Sequence, residues 1–233
     1  LSSKNQASTS LVQCPICDHQ SRHFLSQYGY LIRQCLRCRH QFLETRVAEN
    51  HVHQVYGDDY FHGGGAGYPD YLSHADILRN HGRQYGKILD QHIQPGRMLD
   101  VGSAAGFILQ GFMDYGCTGD GVEPNEEMSE YGRSQLNLSI HTGSSETVSS
   151  EEAYDLISMI QVVPHFYDLH QALQTASERT RSGGYWLIET WNRDSWTARV
   201  LKRHWHEYSP PSVLRWFSPT DLSLLVKQYG FEV

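Results

Sequence analysis

The rhythm of apolar and polar positions marks out alternating short strands and amphipathic helices. Met98-Leu99-Asp100-Val101 is a short apolar run with one acidic residue, closed by Gly102. From Gly106 the pattern turns helical, with Phe107, Ile108, Gly111, Phe112 and Tyr115 on one side and Gly116 as its stop. A second short strand, Gly119–Val122, leads to Glu123, and a third covers Leu138–Thr142. The run from Tyr154 predicts a fourth strand. An amphipathic helix over Asp168–Arg181 follows, carrying Leu169, Ala172, Leu173 and Ala176 and stopped by Gly183-Gly184. Tyr185–Thr190 predicts a fifth strand. Upstream, Ile77, Leu78, Tyr85, Ile88, Leu89 and Ile93 recur at helical spacing over residues 73–93.

The turn between Val101 and Gly106 carries the first chemical hint. A strand that runs through glycines into a helix start lets backbone N–H groups approach a ligand closely. Glu123 lies 21 residues after Gly102, where a carboxylate accepts hydrogen bonds from ribose hydroxyls. Together these describe a nucleoside-binding βαβ unit, although the glycines alone fit a plain tight turn as well. The Gly-x-Gly-x-x-Gly spacing of dinucleotide-binding enzymes is absent, which weighs against an NAD-dependent oxidoreductase.

The same stretch resembles the first motif of class I S-adenosylmethionine-dependent methyltransferases, usually Asp-x-Gly-x-Gly-x-Gly, with Ala104 at the middle glycine. The fourth strand and its loop, through Gln161, Pro164 and His165, resemble the family's Asp-Val-Leu-Glu-His segment. The tail, Pro210-Pro211 through Phe217-Ser218-Pro219, is similar to one large subgroup, with Val213 where that subgroup has histidine. The resemblance covers roughly residues 56–233. It implies an α/β, doubly wound, mostly parallel Rossmann-like sheet. It implies cofactor contacts from Asp100, Gly102, Ser103, Ala104, Gly106, Glu123, Pro124, Ser144, Ser145, Gln161 and Tyr60. Glu123 would hold the ribose, and Ser144 and Ser145 would flank the adenine. His165 is the candidate general base for a hydroxyl acceptor, with a helix cap or a packing role as the alternative. Trp191, Asn192, Trp205, His206 and Tyr208 are candidates for the acceptor pocket.

Cysteines give a second, independent signal. Cys14-x-x-Cys17 and Cys35-x-x-Cys38 are separated by 17 residues, a spacing within the range of zinc ribbons. Four thiolates bind Zn²⁺ tetrahedrally and leave no open position, so the expected site is structural. The segment has few apolar residues, and metal binding would supply its folding free energy. Disulfides are disfavoured by the unpaired Cys117 and by the absence of a secretory pattern in residues 1–13.

The whole chain, 233 residues with a net charge of −7 and 39% hydrophobic residues, has room for one α/β domain and a small module. The expected organisation is a disordered tail over 1–13, a four-cysteine zinc ribbon over 14–55, a lid or linker over 56–75, and the cofactor-binding domain over 76–233. In the third segment, Tyr56, Tyr60, Phe61, Tyr68 and Tyr71 surround Gly63–Gly67; a mobile lid and a packed linker both fit. No apolar run reaches the roughly 18 residues of a membrane span, and a cytoplasmic protein is expected. Overall acidity opposes nucleic-acid binding, while five arginines between Cys14 and Arg46, against Asp18 and Glu44, favour it locally.

The expected activity is therefore methyl transfer from S-adenosylmethionine to a small-molecule or glycan-type acceptor. RNA methylation guided by the ribbon, or a non-catalytic binding module of the same fold, are the alternatives. The last helix starts well at Ser218-Pro219-Thr220-Asp221, Gly230 stops it, and Phe231–Val233 would begin a sixth strand. No residues follow for a seventh. The sequence begins without Met and reads as a piece of a longer protein.

Overall fold

The computed structural model describes residues 12–44, 50–62, 70–146 and 153–233. In chain order the strands and helices are β1 (Ser21–Gln27), β2 (Tyr30–Cys35), β3 (Gln41–Leu43), α1 (Asn50–Val55), α2 (Ala75–Leu89), β4 (Arg97–Val101), α3 (Phe107–Asp114), β5 (Thr118–Glu123), α4 (Glu126–Leu136), β6 (Ile140–Thr142), β7 (Tyr154–Ile160), α5 (Leu169–Arg179), β8 (Thr180–Glu189), α6 (Trp196–Leu201), β9 (Arg215–Trp216) and α7 (Pro219–Lys227). They form two compact units: Leu1–Arg46 with Asn192–Val233, and Val47–Trp191.

Val47–Trp191 holds a five-stranded sheet of order β6-β5-β4-β7-β8, with all four pairings parallel. Crossover helices follow from the helical apolar spacing, and the sheet is the doubly wound arrangement expected. Met98, Leu109, Phe112 and Leu156 form one buried cluster; Ala105, Phe107 and Met128 belong to another. Helices α2 and α3 cross closely, because a Cβ at Gly82 would land on the Ile108 carbonyl oxygen and one at Gly111 on that of Arg79. Arg79 and Arg83 both reach Asp114 at this crossing, at 2.6 and 2.7 Å.

The other unit is built on a four-stranded antiparallel sheet of order β1-β2-β3-β9. Gln41 pairs with Trp216 and Phe42 with Arg215. Trp205, Trp216 and Phe217 are fully buried here, with Tyr208 against Trp216 at 5.4 Å and its hydroxyl donating to Gln41 at 2.6 Å. Ser218 caps α7, and Asp221 completes a capping box. The Asp221 carboxylate also meets His40 at 2.8 Å and Arg193 at 3.5 Å, with His40 and Asp221 side chains wholly buried. Burial keeps the His40 imidazole neutral, below its usual range, against the raising effect of Asp221. Burial opposes the Asp221 charge, yet His40, Ser218 and Arg193 hold that carboxyl below its usual value.

Several expectations change. The helix predicted over Asp168–Arg181 ends at Arg179, and Gly183-Gly184 lies inside β8 instead of stopping a helix. β8 is an edge strand among the described residues, where a glycine weakens the strand without leaving a core gap. Phe231–Val233 forms no strand. Val12 and Gln13, assigned to the disordered tail, are tied down by a Ser21 N–H bond to Val12 and a Gln13–Gln20 bridge. The expected segments 14–55 and 76–233 also divide differently: α1 sits in the sheet unit, while Asn192–Val233 groups with the cysteine-bearing strands. Gly63–Gly67 and Tyr68, central to the lid reading, lie outside the described residues.

Candidate functional site

The carboxyl ends of the parallel strands open onto a cavity of about 450 Å³, within the size range of small-molecule sites. All the nominated cofactor residues except Gly106 line it, and so does His165. Gly106 instead starts α3 with φ 85°. Gly102 sits at φ 70°, where a Cβ would also strike the Val162 side chain. Ala104 adopts φ 47°, a left-handed conformation unusual for a residue with a Cβ. Gly102 and Ser103 N–H groups both donate to the Val122 carbonyl, at 2.8 and 3.2 Å, which ties the turn to β5. The Ser103 hydroxyl is buried without a hydrogen-bond partner.

Glu123 ends β5 and is fixed from both sides. Ala104 N–H donates to one carboxylate oxygen at 2.9 Å and Asn125 N–H to the other at 2.8 Å. Each oxygen keeps a further lone pair, enough for a vicinal diol. Burial, reinforced by nearby Asp100, outweighs those two donors and pushes the carboxyl up to about 7. Asp100 is likewise raised by burial to about 7, against a Ser158 hydroxyl donor at 2.6 Å. The turn, the orphaned Ser103 hydroxyl and the Glu123 lone pairs fit the nucleoside and amino-acid parts of S-adenosylmethionine.

His165 closes the 3-10 turn Val163–His165 after β7. Its Nδ1 lies 2.8 Å from the Tyr56 hydroxyl, ring edge to face. Tyr56 is anchored through its carbonyl, which accepts from Asn125 at 3.1 Å. From it an aromatic chain runs through Tyr60, Phe61 and Tyr71 to Phe107, with successive centroids 5.1–5.7 Å apart. This chain packs on the core and lines the cavity up to Tyr71.

Sequence reasoning named some residues the structure puts elsewhere, and missed others. Trp191 lines the cavity; Asn192, Trp205, His206 and Tyr208 do not. Trp205 and Tyr208 are core residues of the antiparallel unit. Tyr56 had been grouped with the lid, and its bond to His165 was not anticipated. Tyr85, His81 and Glu189 also line the cavity. Tyr85 belongs to the helical apolar spacing over residues 73–93, where only its polar tip marks it.

The four cysteines converge as expected. Their sulfurs lie within 4.8 Å of one another, with Cys14–Cys38, Cys17–Cys35 and Cys17–Cys38 at 3.6, 3.5 and 3.5 Å. Tetrahedral Zn–S bonds of about 2.3 Å require S···S separations of about 3.8 Å, so the cluster fits zinc. Ile16 N–H donates to Cys14 sulfur, and Arg37 and Cys38 N–H to Cys35 sulfur, at 3.3–3.4 Å. Burial opposes ionisation of Cys35, but these two donors and the neighbouring thiols bring it down to about 7. Burial pushes Cys14 and Cys38 up.

Comparison with known proteins gives the same picture. The family model described as a methyltransferase domain matches residues 75–233. A ubiquinone biosynthesis O-methyltransferase of Rhodopseudomonas palustris is 27% identical over 125 residues, which is 52% of this chain and 47% of the relative. The chain thus spans about half the length of the curated relatives it matches. Among solved structures, a SAM-dependent methyltransferase of Thermotoga maritima aligns with TM-score 0.56 and 22% identity, covering 70% of this chain and 76% of that one. Another from Archaeoglobus fulgidus aligns with TM-score 0.52 and 19% identity, covering 70% and 74%. At these identities the likeness is one of fold. No helix among the described residues is long and apolar enough to cross a membrane. With the family match covering most of its length, and the glycine turn and parallel sheet in place, the chain belongs to the methyltransferase-domain family, of the class I S-adenosylmethionine-dependent type.

Proposed function

We propose that this chain methylates a hydroxyl oxygen of a small acceptor, with S-adenosylmethionine as donor. The observation that carries the reading is Glu123, oriented by the Ala104 and Asn125 N–H groups and facing the cavity beside the glycine turn. Bound S-adenosylmethionine supplies an electrophilic methyl group on sulfur. Glu123 holds the ribose, the turn from Gly102 to Ala104 holds the methionine end, and Ser144 and Ser145 flank the adenine. The aromatic chain from Tyr56 to Tyr71 keeps the reacting atoms away from water.

His165 takes the acceptor's hydroxyl proton, and the oxygen would gain the methyl group as the sulfur–methyl bond breaks. When its Nδ1–H donates to the Tyr56 hydroxyl, Nε2 is left as the acceptor. O-methylation agrees with the name of the Rhodopseudomonas relative. Four cysteine thiolates hold a structural Zn²⁺ in the same proposal, and free cysteines suit a reducing, cytoplasmic setting. RNA methylation is a second reading. It is favoured by the twelve Lys and Arg against six Asp and Glu in Leu1–Arg46 with Asn192–Val233.

The test is calorimetric titration with S-adenosylmethionine, followed by transfer of labelled methyl to fractionated extract. Micromolar binding and a labelled small molecule are expected; labelled RNA alone would transfer the conclusion to the second reading. His165→Ala should lower turnover by about 10²–10⁴-fold, the usual worth of a general base, with cofactor affinity unchanged. A variant that keeps the parent rate between pH 6 and 9 removes His165 from the mechanism.

A further inference from the structure

The cavity carries charge of one sign only. Asp100, Glu123, Glu146 and Glu189 line it, and among the described lining residues there is no Arg or Lys. Glu123 has its place in the cofactor site, and Glu189 stands apart from it. Glu189 ends β8, three strands from β5 in the sheet order. At about 4.8 Å per strand this sets it about 14 Å from Glu123 across the sheet.

The Glu189 carboxylate is held as firmly as that of Glu123. Tyr85 hydroxyl donates to one oxygen at 2.6 Å, and Gln161 side-chain N–H to the other at 3.1 Å. Gln161 is itself locked, since its backbone N–H donates to the Glu189 carbonyl at 2.8 Å while its φ is 58°. Tyr85 stacks on Phe112 with centroids 6.1 Å apart. Both donors are neutral, so the carboxylate has orientation without charge compensation, and each oxygen keeps a lone pair. Trp191 and His81 line the cavity as well. A fixed anion without charge compensation favours a cation and repels an anion, because the Coulomb energy has that sign.

Building on the methyl-transfer reading, we infer that Glu189, positioned by Tyr85 and Gln161, selects the acceptor by charge. Aromatic acceptors bearing an ammonium group are preferred over neutral ones, and carboxylated or phosphorylated ones are rejected. Gln161, nominated as a cofactor contact, acts here through Glu189.

Three catechols that differ mainly in charge test this: dopamine, 4-methylcatechol and 3,4-dihydroxybenzoate, titrated into protein saturated with S-adenosylhomocysteine. Dopamine should bind at least about tenfold more tightly than dihydroxybenzoate, since a charge-assisted hydrogen bond is worth a decade or more. Glu189→Gln should bring the three within about threefold of one another and leave S-adenosylhomocysteine affinity unchanged. Tyr85→Phe should narrow the spread in part. The inference is overturned if none of the three binds, if dihydroxybenzoate binds as well as dopamine, or if Glu189→Gln keeps the spread. It is also overturned if Glu189→Gln weakens S-adenosylhomocysteine, for the carboxylate then serves the cofactor. Failure of the parent protein to bind S-adenosylhomocysteine at all would instead remove the methyl-transfer reading beneath it.

Discussion

Asp221 in one unit and Asp100 and Glu123 in the other are buried in opposite ways. In Leu1–Arg46 with Asn192–Val233, the buried Asp221 meets His40, Ser218 and Arg193, and its carboxyl is held below the usual range. In Val47–Trp191, Asp100 and Glu123 are buried with only hydroxyl and backbone N–H donors, and burial pushes both to about 7. Net composition follows the same division, with seven Lys and Arg against twenty Asp and Glu in the second unit. A compensated buried charge holds a fold together. An uncompensated one costs stability and persists where a ligand completes it.

The largest effect that would sharpen this contrast is loss of the metal. Structural zinc in small domains contributes apparent binding free energies of about 10–16 kcal/mol. Cys35→Ser should therefore abolish the one zinc per chain expected from metal analysis and unfold the antiparallel unit, seen as loss of near-UV signal from its buried tryptophans. A zinc-free parent protein with the same signal would break the argument. Asp221→Ala comes next. It leaves His40 and Arg193 without their shared carboxylate, and breaking a buried pair costs about 3–5 kcal/mol. Denaturant unfolding should show that loss while S-adenosylhomocysteine affinity holds; a cost below about 1 kcal/mol would place Asp221 with ordinary surface ion pairs.

The smallest effect concerns pH. Glu123 has a folded pKa raised from its usual 4.5 to about 7, so the empty sheet unit loses stability as pH rises through that interval. In the proposed cofactor site binding runs the other way, because the ionised carboxylate would accept both ribose hydroxyls. S-adenosylhomocysteine affinity should rise about tenfold between pH 5.5 and 8, the worth of one charge-assisted bond. Glu123→Gln should flatten that rise and weaken binding at pH 8 by a similar factor. A parallel pH profile in the variant would assign the titration to another group.

Local chemistry was legible in the sequence and long-range packing was not. The turn at Gly102, the carboxylate of Glu123 and the paired cysteines each lie within a few residues of the features that define them. Trp205 and Tyr208 were misassigned because their packing is set by residues such as Gln41, 167 positions from Tyr208. An aromatic residue with a polar tip suits a pocket and a core equally until those partners are known. The Tyr85–Glu189 pair is 104 residues apart, and neither residue breaks its local pattern. Ala104 shows the reverse case: where the resembling motif has glycine, the backbone is left-handed although the residue is alanine.

The pairing of β3 with β9 also fixes an order of assembly. Gln41 and Trp216 are ladder partners, yet the whole parallel sheet is synthesised between them. The cysteine cluster needs only the first 38 residues. A metal would thus gather the amino-terminal strands early, while the open side of β3, which ends at Leu43, waits for a strand that starts at Arg215, 215 − 43 = 172 residues later. Closing so long a loop through a disordered chain would cost about 4–5 kcal/mol, a cost that prior folding of the intervening unit reduces. The antiparallel sheet is therefore completed only after the parallel sheet has been synthesised, and through that interval its amino-terminal strands would depend most on a metal held by the four cysteines.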